Sequence, residues 1–76
     1  MSKAEQLIEY ITQDIIAFIV EDNNVEYDEA MRLFYGTDIF EKVQDTDTGL
    51  YLESSAYVYD LFKNEQQNGR LIQMEE

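Results

Sequence analysis

The clearest alternation of apolar and polar positions lies in the first third of the chain. Apolar side chains recur there at helical spacing, and polar ones occupy the other side; the apolar set is Leu7, Ile8, Ile11, Ile15, Phe18 and Ile19. The unbroken apolar run at 15–20 is also rich in β-branched residues, which favour strands. Because the helical pattern leads into this run, it predicts a helix at about residues 4–22 that ends at Asn23 and Asn24.

Two shorter helices are predicted at about residues 27–35 and 39–44. Glu26 is expected to cap the first of them, and Gly36 to end it in the left-handed conformation that glycine adopts without steric cost. Asp38 is then expected to cap the next helix. The predicted inner residues of these two helices are Tyr27, Ala30, Met31, Phe34, Ile39, Phe40 and Val43.

The segment at 45–49 contains Asp, Thr and Gly, which break a helix and favour turns. Residues 50–52 are expected to be extended, and Ser54 or Ser55 to cap a helix at about 55–67. The predicted inner residues of that helix are Tyr57, Val58, Leu61 and Phe62, and residues 70–76 are expected to be a tail. The pattern therefore predicts an all-α protein, a compact bundle of three to four short helices in a single helical domain at 1–76.

The charge of the chain restricts its partners. The sequence has 17 acidic and 5 basic residues, a net charge of −12, and the bases are scattered along the chain. Binding to nucleic acid or to an anionic membrane is therefore not expected, whereas a basic protein partner is compatible with this charge. The simpler interpretation is that the acids only keep a small protein in solution.

Several other properties concern the location of the protein and its assembly. The polar start predicts no signal peptide, and the run at 15–20 is much shorter than the ~20 apolar residues that cross a bilayer. The lack of cysteine suits a reducing compartment, so a cytoplasmic location is expected. Because a chain of 76 residues buries only a marginal core, a homodimer or larger homo-oligomer is also expected.

The sequence supports neither a calcium site nor a catalytic site. Asp45, Asp47 and Glu53 suggest a calcium-binding loop, but the glycine that such a loop needs at its sixth position and the glutamate at its twelfth are Leu50 and Ala56 here. Without histidine or cysteine, the usual pairs of nucleophile and base are missing. The sequence therefore predicts no enzyme, no metal and no cofactor.

Some apolar and aromatic residues lie off the predicted inner stripes. They are Ile16, Val20, Leu33, Tyr51 and Tyr59. Apolar residues that cluster at a surface mark an interface, and tyrosine is enriched at interface hot spots. These five are therefore the predicted interaction surface, with self-association expected through Ile16 and Val20. The alternative is a wider core, in which the first helix is central and is covered on two sides.

From about Ile8 to Glu65 the chain resembles a group of small bacterial proteins of unknown function. The segments that carry the resemblance are "YDEAMRLFYGTDIF" and "TGLYLESSAYVYDLF". Members of the group are short, acidic and helical, and some are encoded beside toxin-like genes. The resemblance implies an accessory or antitoxin-like role as the partner of another protein, and it assigns no site residues.

Two functions follow as hypotheses. The first is a small acidic protein-interaction module that binds another protein, for which the charge favours a basic partner. The alternative is a transcriptional regulator in which the turn between the second and third predicted helices belongs to a helix-turn-helix. A recognition helix that begins at Asp38 would present Asp38 and Glu41 to DNA, with only Lys42 as a base, and this charge is unfavourable.

Overall fold

Four α-helices account for most of residues 2–68, the part of the chain that our computed structural model describes. They are α1 (Lys3–Asn23), α2 (Tyr27–Tyr35), α3 (Asp38–Gln44) and α4 (Ser55–Asn68). Each predicted helix boundary lies within one residue of the observed one. The predicted tail at 70–76 lies outside the described residues. No strand occurs within residues 2–68, and the all-α bundle is confirmed.

The core surrounds α1, which packs against α2, α4 and the segment between α3 and α4. Because neighbours cover α1 on several sides, its buried residues form a broad band: Ile11, Ile15, Ile16 and Ile19. The other helices contribute one apolar face each to the same cluster. Their buried apolar residues are Ala30, Phe34, Ile39, Val43, Val58, Tyr59 and Phe62.

The helix ends are set by local side-chain chemistry. Ser2 and Glu5 form a capping box at the start of α1, and Asn24 ends that helix in the left-handed conformation at φ 54°. Gly36 ends α2 as predicted, but its φ of −88° lies outside the left-handed region, so that part of the prediction was wrong. Thr37, rather than Asp38, caps α3, because its hydroxyl accepts the Phe40 N–H at 3.2 Å.

The connection between α3 and α4 consists of two short 3-10 helices, Thr46–Thr48 and Leu50–Leu52. Asp45 accepts the Asp47 N–H at 3.0 Å, and Gly49 has a φ of 72°, so the predicted turn at 45–49 is confirmed. The extended prediction for 50–52 was wrong. An extended segment would place neighbouring side chains on opposite sides, whereas Leu50 and Tyr51 both pack against the core and Leu52 is exposed.

One carboxylate joins α4 to the start of α3. Glu65 is only 7% exposed, and its two oxygens accept the N–H groups of Asp38 at 2.8 Å and Ile39 at 3.0 Å. The first N–H groups of a helix have no partner within the helix, so this contact caps α3 from a distant part of the sequence. It fixes the position of α4 along the bundle.

Within residues 2–68, no helix has both the length and the apolar content needed to cross a membrane.

Candidate functional site

A cleft of about 220 Å³ opens between the C-terminal end of α1, α2 and the second half of α4. Its apolar surface comes from Leu33, which is 38% exposed, and from the largely buried rings of Tyr59 and Phe62. The remaining lining residues are polar or charged: Asp22, Asn23, Lys63, Gln66 and Gln67. Pockets for small-molecule ligands usually measure roughly 300–1,000 Å³, so this cleft is closer in size to one large side chain.

Tyr59 forms a fixed wall of the cleft. Its hydroxyl donates to the Asp22 carboxylate at 2.7 Å, and its ring lies 5.1 Å from that of Phe18 and 5.7 Å from that of Phe62. Burial raises the pKa of the Tyr59 hydroxyl above its ordinary value, and the hydrogen bond and negative charge of Asp22 raise it further. Tyr59 therefore stays neutral at physiological pH and holds Asp22 at the mouth of the cleft.

Among the described residues that line the cleft, Lys63 is the only cation. Its ammonium lies 5.0 Å above the centre of the Tyr59 ring and 3.8 Å from the Asp60 carboxylate. The pair of Lys63 and Asp60 is the only ion pair within residues 2–68, and both of its side chains are exposed. The ammonium of Lys63 is thus directed towards its own helix, and within residues 2–68 Asp22 across the cleft has no basic partner.

We call the exposed carboxylates of Glu21, Asp22, Glu26 and Glu29 the acidic rim. Asp22 lines the cleft, and the other three lie near it in sequence, at the end of α1 and the start of α2. Glu29 lies one turn before Leu33 on the same side of α2, which places it beside the cleft. Glu21 and Asp22 lie in the last turn of α1, where the helix dipole favours cations and no basic residue is present. The field at this end of the molecule is therefore strongly negative.

The structure corrects most of the predicted interaction surface. Ile16 is 1% exposed and Tyr59 is 8% exposed, so both belong to the core. Val20 and Tyr51 are half-buried and pack against the core, which leaves Leu33 as the only exposed member of the five. Ile16 and Val20 therefore fit the alternative interpretation, a wider core in which α1 is covered on several sides, and self-association itself stays a prediction.

The buried face of α4 also differs from the prediction. Tyr57 was predicted to be an inner residue and is exposed, whereas Tyr59 is buried. Tyr59 faces inwards, and its hydroxyl reaches the end of α1, where it donates to the Asp22 carboxylate. The structure nevertheless brings two of the predicted residues, Leu33 and Tyr59, together as opposite walls of one cleft.

The sequence contained signals for residues that were missed. Glu65 continues the stripe of Val58 and Phe62 at helical spacing, and a carboxylate on a buried stripe indicates a cap or an ion pair. The charges of Glu21 and Asp22 at the end of a helix were visible as well. The contact between Tyr59 and Asp22 depends on how α4 lies against α1, which no local pattern specifies.

The other candidate sites receive no support from the geometry. Among residues 2–68, no group of three or more acidic side chains is arranged to hold a metal ion. The exposed side chains of α3 include Asp38 and Glu41, and Glu65 adds a third carboxylate at its N-terminal end. A helix with this charge is poorly suited to the major groove of DNA.

A comparison of the chain with models of protein families, with curated proteins and with solved structures finds no match. The cleft and the charges around it are therefore the features that indicate a function.

Proposed function

We propose that this protein is an interaction module that binds a basic protein partner. The observation that supports the proposal most strongly is the combination of an exposed apolar cleft with an acidic rim that lacks basic partners within residues 2–68. The apolar surface would contribute affinity, and the carboxylates would attract and orient a positively charged surface.

The loss of stability that the acidic surface causes also supports a basic partner. Of the carboxylates in residues 2–68, all but Glu65 are exposed, and like charges this dense destabilise a compact fold. The two acids at the end of α1 also oppose the helix dipole. A basic partner, when it binds, would reduce both the repulsion between the acids and their unfavourable interaction with the α1 dipole. An antitoxin-like role, as the resemblance of the sequence implies, would be one form of this function, and the expected location is the cytoplasm.

Affinity capture from cells that express the chain naturally tests the proposal. The tagged full chain should recover one basic protein at low salt and lose it progressively as salt rises, because screening weakens the attraction between surface charges. A tagged variant with Glu21, Glu26 and Glu29 changed to Gln should recover less of it. Recovery of an acidic protein, or specific retardation of DNA fragments by the purified chain, would contradict the proposal.

The homodimer predicted from the small size of the chain remains a proposal as well. Its interface would have to use side chains that are exposed in the single chain. The large apolar ones outside the cleft are Tyr10, Tyr27, Tyr35, Leu52 and Tyr57. Sedimentation of the purified protein over a range of concentrations would decide between a monomer and a dimer.

A further inference from the structure

We infer that the cleft takes one large apolar side chain from a basic segment of a protein partner, and that the acidic rim binds the lysine or arginine residues beside it. This inference rests on the proposed function and specifies the site and the chemistry of the partner. Binding of this kind requires an apolar cavity of suitable size, a rigid wall and a negative surface at the mouth of the cavity, all in one region of the molecule.

The walls of the cleft provide the apolar surface. Leu33 is exposed on α2, although its neighbour Phe34 is fully buried, so the fold does not need an apolar residue at position 33. Tyr59 and Phe62 face it with stacked rings 5.7 Å apart, and the Tyr59 hydroxyl is held by Asp22. A volume of about 220 Å³ suits a single leucine, methionine or phenylalanine side chain. Anchors of this kind, buried in preformed pockets, dominate the affinity of many protein interfaces.

The charges around the cleft determine which kind of segment can occupy it. A neutral apolar segment could enter the cleft, but it would leave the carboxylates of the rim without partners. A second copy of this chain carries the same net charge of −12 and would bring more acids to the rim. A basic segment places cations near Glu29 on α2 and near the negative end of the α1 dipole, where they are favoured. Charge complementarity therefore favours a basic partner over a second copy.

The test uses two synthetic peptides of lysine and alanine that differ at one central position, phenylalanine in one and alanine in the other. Each is titrated into the ¹⁵N-labelled full chain at about 0.15 M salt, and the backbone amide signals are followed by NMR. The phenylalanine peptide should bind about ten-fold more tightly, because it buries an aromatic side chain. Its largest shifts should lie around Leu33 and Phe62.

Two matched pairs of variants locate the binding. Leu33→Gln should remove the advantage of the phenylalanine peptide, whereas Leu52→Gln, the same change at a residue that is 65% exposed and outside the cleft, should retain it. Changing Glu21, Glu26 and Glu29 to Gln should weaken both peptides several-fold more than changing Glu9, Glu41 and Glu53, which lowers the charge equally. Circular dichroism of each variant establishes that it is folded.

Equal affinities for the two peptides, or equal effects of the paired variants, would overturn the inference. Binding would then be a diffuse attraction between opposite charges, and a captured basic partner would still support the proposed function. Self-association that Leu33→Gln abolishes would also overturn it, because a second copy would then occupy the cleft.

Discussion

The contact of Glu65 with the start of α3 provides a sharp test of how the bundle is held together. In the Glu65→Gln variant the side chain keeps its size, but one of its two oxygens becomes an NH₂ group. That group cannot accept an N–H, so either Asp38 or Ile39 loses its partner and faces another donor. The Ile39 N–H is buried, so water cannot easily replace the lost bond.

The expected loss can be estimated from these contacts. A hydrogen bond to a charged group contributes about 1.5–3 kcal/mol, and one such bond is lost. A chain of this length has a total free energy of unfolding of about 4–11 kcal/mol, so the variant should lose a large share of it. At about 4–8 °C for each kcal/mol, the melting temperature should fall by at least about 6 °C.

Thermal and urea unfolding followed by circular dichroism would measure this loss, and hydrogen exchange at the Ile39 amide would locate it. Glu53→Gln is the matched control, since Glu53 is exposed and the change in charge is the same. Its effect should stay within about 0.5 kcal/mol. If the two variants unfold at the same temperature, Glu65 does not cap α3 and the reasoning is wrong.

Three further predictions concern charge and burial. Because exposed acids repel one another, the melting temperature should be higher in several hundred millimolar salt than in dilute buffer, and a flat or falling curve would mean that the acids are compensated locally. The raised pKa of Tyr59 means that the folded chain holds this proton more tightly than the unfolded chain, so its contribution to stability is complete below pH 10 and is lost as the pH rises further. Tyr59→Phe should therefore show a shallower loss of stability in alkaline urea titrations than the parent chain, and an identical slope would contradict the raised pKa. Ile16→Glu should unfold the chain because it buries an unpaired charge, whereas Leu52→Glu should leave the circular dichroism spectrum and melting temperature nearly unchanged. If the Ile16→Glu variant instead stays folded and changes from a dimer to a monomer, Ile16 is an interface residue after all.

The helices were predictable because their signals are local. The spacing of Ile11, Ile15 and Ile19 defines α1, and Asn24 and Gly49 mark the places where the chain leaves helical geometry. Ser54, one of the two caps proposed for α4, accepts the Tyr57 N–H at 3.1 Å. Each of these features depends on residues a few positions apart, so a single sequence is enough to identify it.

The candidate site was harder to predict, because it depends on how the helices lie against one another. Ile16 lies off the main apolar stripe of α1, a position compatible with a surface or with a wider core, and it is buried because α1 is covered on several sides. The cleft brings Asp22, Leu33 and Tyr59 together from three helices. Periodicity shows which face of each helix is apolar, but it does not show which faces meet or leave a gap.

Carbodiimide cross-linking of the captured complex tests the central claim most directly, because this reagent joins a carboxylate to a lysine only when the two are in contact. Mass spectrometry of the products would identify the cross-linked residues on both chains. The account predicts that the cross-links join Glu21, Glu26 or Glu29 of this chain to lysines next to a large apolar residue of the partner. Cross-links concentrated instead at distant acids such as Glu9, Glu41 and Glu53 would contradict it.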